Sequence, residues 1–266
     1  MTSLDLTAKS RTALQRLVLA LADDEFVLGH RDSEWTGYGP ILEEDIAFSN
    51  IAQDEIGHAL VWYSIYQELA GPDPDRMAFG RPWQDFTCCH FVEYPKNDFA
   101  YTVVRQYLFD MAEEVRLRHL AGSSYAPLAG AAARISKEES YHRLHLQSLF
   151  ERLGSATPES VSRMQAALQT AFPQALGMFE PVEDESELIG AGIYAGNAVV
   201  EKEWSEAVRE AIRKTGLALP PEERTGNSGV RTLSGYGGRM NAHTPHLKAL
   251  VGDLQTVLGT APDATW

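Results

Sequence analysis

The chain has 266 residues, 44% of them hydrophobic, enough to bury a sizeable core as one large domain or as a domain with an appendage. Its formal net charge of −14 argues against a nucleic-acid-binding surface and leaves a solvated acidic surface or a basic partner. The only cysteines, Cys88 and Cys89, are adjacent, which excludes a disulfide framework and most thiolate metal sites, so any bound metal must be held by oxygen and nitrogen.

Apolar positions recurring at three and four (Leu14, Leu17, Val18, Leu21) predict a helix over residues 7–30. The same periodicity predicts helices over 40–69, 98–121 and 124–153, separated by loops rich in Pro and Gly. Thr157, Pro158 and Glu159 form a helix start, and residues 185–214, rich in helix formers, read as one further helix. The stretch 215–242, with Pro220, Pro221 and the glycines of SGYGGRMNAH, reads as a loop, and a last helix is expected from about Pro245 to Leu258. Gly235–Gly238 lack the strand–helix context of a phosphate-binding loop and are expected to let that last helix return to the bundle. The expected fold class is all-α: a four-helix bundle core over 1–155, with additional helices over 156–266 packed on the same domain. No apolar run reaches the roughly 18 residues of a membrane span, and MTSLDLTAKSRT lacks the apolar stretch of a signal peptide, so a cytoplasmic location is expected.

The second and fourth helices repeat one another. IAQDEIGHAL, from Ile51, aligns with ISKEESYHRL, from Ile135, at an offset of 84 residues, and the match continues through Ser64 and Ser148, Ile65 and Leu149, Tyr66 and Phe150, Leu69 and Leu153. Each copy carries Glu-x-x-His: Glu55 with His58, and Glu139 with His142. Residues three apart project from one helix face, so each copy can present an oxygen and a nitrogen to one metal region. A carboxylate-bridged metal pair needs about two further acids from the other two helices, the ligand pattern of ferritin-like bundles. The first helix offers Asp23, Asp24 and Glu25, and the third offers Asp110, Glu113 and Glu114. Glu25 precedes Glu55 by 30 residues and Asp110 precedes Glu139 by 29, which selects Glu25 and Asp110, with Glu114 as the alternative one turn further on.

Each histidine also follows an acid by four residues, Asp54 before His58 and Glu138 before His142; these acids can orient the imidazoles or face a neighbouring helix. Without metal, a buried cluster of this kind would have to be an ionic network with a desolvation cost of several kcal/mol per unpaired ion. Its carboxylate richness favours iron over zinc and leaves manganese open. Trp35, Trp62 and Trp204 are expected as core or interface anchors, and Tyr63, Tyr107 and Tyr141 as core packing.

The stretches DDEFVLGHRDSEW, AQDEIGHALVWYSIYQELAG, FVEYPKNDFAYTVVRQYLFD, ISKEESYHRLHLQSLFERLG and AHTPHLKALVGDLQTVLGTAPDATW resemble the multicomponent phenylacetyl-CoA epoxidase (ring 1,2-monooxygenase) family over almost the full length. In size, in Phe91–Asp110 and in the C-terminal stretch, the chain is most similar to the PaaC-type subunit of that family. The ligand stretches resemble the catalytic PaaA-type subunit, whose di-iron ligands would fall at Glu25, Glu55, His58, Asp110, Glu139 and His142. The resemblance implies a ferritin-like fold and a subunit of an oxygenase that epoxidises the aromatic ring of phenylacetyl-CoA in phenylacetate catabolism. It also implies two non-haem iron ions, electrons from a separate NADPH-dependent reductase, and a homo- or hetero-oligomer with a larger PaaA-type partner. The alternative class is a stand-alone ferritin-like di-iron oxidase or iron-handling protein, against which the chain beyond residue 155 weighs. The basic residues Lys202, Arg209, Arg213, Lys214 and Arg231 are too scattered to assign a coenzyme A site.

Overall fold

The computed structural model of the chain describes residues 6–220 and 235–260. Pro221, Arg231 and the end of the final motif therefore lie outside the described residues. All regular structure among the described residues is helical. The four long helices are α1 (Ala8–Ser33), α2 (Leu42–Ala70), α5 (Phe99–Leu120) and α6 (Ala126–Leu153), with two short ones, α3 (Pro74–Phe79) and α4 (His90–Glu93), between α2 and α5. Local chemistry sets several ends. The side chains of Thr7 and Asp98 accept the amides of Ser10 and Tyr101 at the starts of α1 and α5, and Gly71, at φ 100°, terminates α2 in the left-handed region.

A short connection folds α2 back along α1, and another folds α6 back along α5; these two pairs hold the most extensive helix contacts. The α1–α2 approach depends on Gly29, where a Cβ would lie 2.9 Å from Ile56 Cγ1, 3.0 Å from the Ala52 carbonyl and 3.0 Å from Glu55 Cβ. The two pairs form the ferritin-like four-helix arrangement. On its outside, α7 (Pro158–Ala175), opened by the Thr157–Ser160 capping box, packs on α5. One contiguous apolar core runs from α1 to α10 (Pro245–Leu254) and includes Trp62, Trp204 and Trp35. Tyr63 and Tyr107 lie in it, whereas Tyr141 stands 74% exposed on α6 and is not a core residue.

The single helix expected over 185–214 is two: α8 (Glu185–Gly190), packed on α1, and α9 (Asn197–Ile212), packed on α5. The break is chemical. Gly192 and Gly196 take positive φ, and the Glu185 carboxylate bonds the Asn197 backbone and side-chain amides, turning the chain between them. The helix expected over 245–258 likewise divides into α10 and α11 (Thr256–Thr260), with the Gln255 amide donating to the Phe79 and Arg81 carbonyls. Gly238 lies so close to the Cys88 carbonyl that a Cβ would collide with it, which brings the segment before α10 onto the bundle.

Candidate metal centre

Glu25 on α1, Glu55 and His58 on α2, Asp110 on α5, and Glu139 and His142 on α6 all point into the space between the two helix pairs, each at most 4% exposed. Ligand atoms of Glu25, Glu55, His58 and Glu139 lie within 4.8 Å of one another. His58 Nδ1 is 3.4 Å from Glu139 Oε1, 3.7 Å from Glu55 Oε2 and 3.9 Å from Glu25 Oε2. His142 and Asp110 flank this group. His142 Nδ1 is 3.2 Å from Glu139 Oε1 and 3.7 Å from Glu55 Oε1, and the two imidazole centroids are 6.0 Å apart.

Neighbouring acids are removed from the centre by partners far away in sequence. Asp23 is held by Tyr63, Arg81 and Thr87, and Asp24 by the Cys89 amide and Arg239, so Glu25 alone of the three faces the centre. On α5, Glu113 pairs with Arg116, while Glu114 points outward, 56% exposed, to Arg143 at 3.0 Å.

The outer nitrogens of both histidines are also engaged, and the pairing crosses between helices. His58 Nε2 donates to Glu138 of α6 at 2.9 Å, and His142 Nε2 donates to Asp54 of α2 at 3.1 Å. A proton held outward on Nε2 keeps Nδ1 turned inward, so that loss of any Nδ1 proton presents its lone pair in the orientation a metal ligand requires.

One residue of the centre escapes a search for ligand motifs. Gln106, fully buried on α5, donates from Nε2 to Glu55 Oε1 at 2.7 Å and to Asp110 Oδ1 at 2.8 Å. Its spacing of four residues before Asp110 puts both on one helix face, and that is the signal by which it could have been found. Nearby, Asp32 follows Glu25 by two turns and forms a buried pair with Arg105 at 3.1 Å; burial pushes its carboxyl up to about 7 against the pull of that guanidinium.

In the metal-free protein the cluster shares protons. Burial, reinforced by the Glu55 charge, holds the Glu25 carboxyl well above the usual carboxylate range. Burial opposes ionisation of Glu55 as well, but the adjacent Glu25 carboxyl and the His58 and His142 imidazoles bring it down to about 2. Burial lowers both imidazoles, yet the surrounding carboxylates outweigh it: Glu139, Glu25 and Glu55 raise His58, and Glu139 above all pushes His142 up to about 10. Even so, both Glu25 oxygens, Glu55 Oε2, His58 Nδ1, Asp110 Oδ2 and Glu139 Oε2 are buried without a hydrogen-bond partner. Such atoms are costly in a plain scaffold and are what a cation coordinates. The donor set of carboxylates and imidazoles fits a hard or borderline divalent ion, and its size exceeds what one tetrahedral ion needs.

A second group, Cys88, Glu93 and His243, also lies within ligand distance. There Glu93 accepts from His243 Nδ1 and the Thr244 amide, each at 2.7 Å, and His243 Nε2 meets the Phe86 carbonyl at 2.7 Å. With those atoms engaged, the group is a clamp that fastens the segment before α10 to α4.

A sequence profile of the phenylacetic acid catabolic protein family matches residues 1–266. The chain is similar to the C-type subunit of the 1,2-phenylacetyl-CoA epoxidase of Escherichia coli, 32% identical over 254 residues, which cover 95% of this chain and 99% of that relative. It is also similar to the A-type subunit of the same enzyme, 29% identical over 179 residues, which cover 66% of this chain and 57% of that relative.

Proposed function

The chain belongs to the phenylacetic acid catabolic protein family, and we propose that it serves as the C-type subunit of a multicomponent phenylacetyl-CoA epoxidase. On this reading it assembles with a larger A-type partner and the other oxygenase components in the cytoplasm. Phenylacetyl-CoA is the substrate of the assembly, and a separate NADPH-dependent reductase supplies electrons. The observation that carries the proposal is the similarity to the C-type relative along 95% of the chain. A stand-alone ferritin-like oxidase or iron-handling protein draws no support from either relative.

The reading includes a metal centre. Glu25, Glu55, His58, Asp110, Glu139 and His142 would hold up to two non-haem iron ions. Iron bound there supplies the redox chemistry with O₂ that side chains alone lack. The chain's own contributions are geometric and electrostatic. Four buried carboxylates offset the charge of a cation, Glu138 and Asp54 fix the imidazoles, and the packed helices exclude water.

The test is co-expression with a PaaA-type partner. A stable complex on size-exclusion chromatography is expected, together with iron in this chain after anaerobic Fe(II) reconstitution. Glu139→Ala should remove that iron yet leave epoxidation by the complex nearly unchanged, because the partner carries the chemistry. Full loss of turnover with assembly intact would assign catalysis to this chain instead, and absence of a complex would refute the role in the assembly.

A further inference from the structure

The unpartnered atoms of the centre are not evenly spread. Five of the seven, counting Gln106 Oε1, belong to the four residues that converge within 4.8 Å: both Glu25 oxygens, Glu55 Oε2, His58 Nδ1 and Glu139 Oε2. On the side of Asp110 and His142, Asp110 Oδ2 and the Gln106 amide oxygen are free. There Gln106 Nε2 engages Glu55 Oε1 and Asp110 Oδ1, while His142 Nδ1 meets Glu139 Oε1. The Gln106 amide nitrogen carries two N–H hydrogens, one for each of the two carboxyl oxygens that it faces, at 2.7 Å and 2.8 Å. The helix-pair symmetry breaks at the same place. Four residues before its inward acid, α5 carries Gln106, whereas α1 carries Leu21, a buried side chain with no donor.

We propose that the centre is built for unequal occupancy: one ion binds tightly among Glu25, Glu55, His58 and Glu139, and a second, beside Asp110 and His142, binds only when the Gln106 amide releases Glu55 and Asp110. This rests on reading the cluster as a metal centre and specifies how that centre fills. Gln106 acts here as a positioning residue. It ties a carboxylate of α2 to one of α5, and a second cation must displace hydrogen bonds to both.

Mn(II) titration of the metal-free full-length chain tests this without recourse to activity. Wild type should saturate at one equivalent, with the hyperfine electron paramagnetic resonance spectrum of an isolated ion. Its second binding step should be at least about tenfold weaker, the effect of one hydrogen bond to a charged group that the metal must replace. Gln106→Leu removes both N–H groups at similar volume and should tighten the second step at least about tenfold, with an exchange-coupled signal appearing. Gln106→Glu replaces the donor by another carboxylate and should do the same; it carries the test if the leucine variant fails to fold by circular dichroism. Two ions of equal affinity in wild type would overturn the proposal while leaving the metal centre standing. An unchanged second step in a folded variant would overturn the role of Gln106. No bound ion in any of the three proteins would overturn the metal reading beneath it.

Discussion

The crossed pairs behind the histidines give the sharpest mutational contrast. Glu138 of α6 holds His58 of α2, and Asp54 of α2 holds His142 of α6. The two acids are 47% and 45% exposed, so solvent screening keeps the contribution of either pair to fold stability within about 1 kcal/mol. For a protein of this size that corresponds to a shift of about 2–4 °C in Tm. Orientation of a metal-bound imidazole is worth more, about 10–100-fold in metal affinity. That factor equals about 1.4–2.7 kcal/mol. Glu138→Ala should therefore weaken the first Mn(II) step by about 10–100-fold while the metal-free protein melts within about 4 °C of wild type. Asp54→Ala should leave that first step within about threefold and act on the second, because its histidine lies on the Asp110 side. Binding isotherms paired with circular dichroism melts measure both quantities. If each acid instead served the histidine on its own helix, as the four-residue spacing alone suggests, the two variants would exchange phenotypes, and that result would refute the crossed arrangement.

Four further outcomes are expected. Since His142 holds a proton up to about pH 10 in the metal-free protein, a metal must displace it, and affinity should rise with pH; calorimetry in buffers of different ionisation enthalpy should detect at least one proton released, and zero release would contradict the assignment. The sign for stability is opposite: the contribution of His142 is full below its unfolded value near 6.5 and is lost as pH rises through about 10, so metal-free melts should fall over that window, and a His142→Gln variant should lack this part of the decline. Arg239→Ala leaves the buried Asp24 carboxylate with only the Cys89 amide, and denaturant unfolding should show a loss of about 3–5 kcal/mol; a loss below about 1 kcal/mol would contradict a buried pair. Gly29→Ala puts a methyl against Ala52, Ile56 and the Glu55 Cβ, and should cost about 1–3 kcal/mol while also weakening the first metal step; an unaltered Tm and isotherm would refute the close approach.

The long helices were readable because more than 20 residues of 3.6-residue periodicity leave little ambiguity, and the expected spans agree with α1, α2, α5 and α6 to within three residues at each end. Short helices carry no such signal. The six-residue α3 and four-residue α4 were invisible, and the region 185–214 misled because good helix formers on both sides of Gly190, Gly192 and Gly196 outweighed those glycines in a long window. Within the centre, the Glu-x-x-His repeat was visible because both members lie on one helix, where spacing alone fixes the face.

What spacing cannot convey is which partner a side chain has on another helix. Asp23, Asp24 and Glu25 are equivalent as letters; Arg81 and Arg239, 58 and 215 residues away from the aspartates they hold, make them inequivalent. The same reason hid the crossing of Asp54 and Glu138, since a four-residue interval suits a pair on one helix as well as two pairs between helices. It also explains Gln106. A glutamine is absent from any ligand motif, yet its position opposite Glu55 lets one neutral amide distinguish the two sides of a centre whose charged residues repeat almost symmetrically. The repeat places the charged groups and the uncharged neighbours decide which of them are free, so a change confined to Gln106 should alter how the centre fills while leaving every proposed ligand in place.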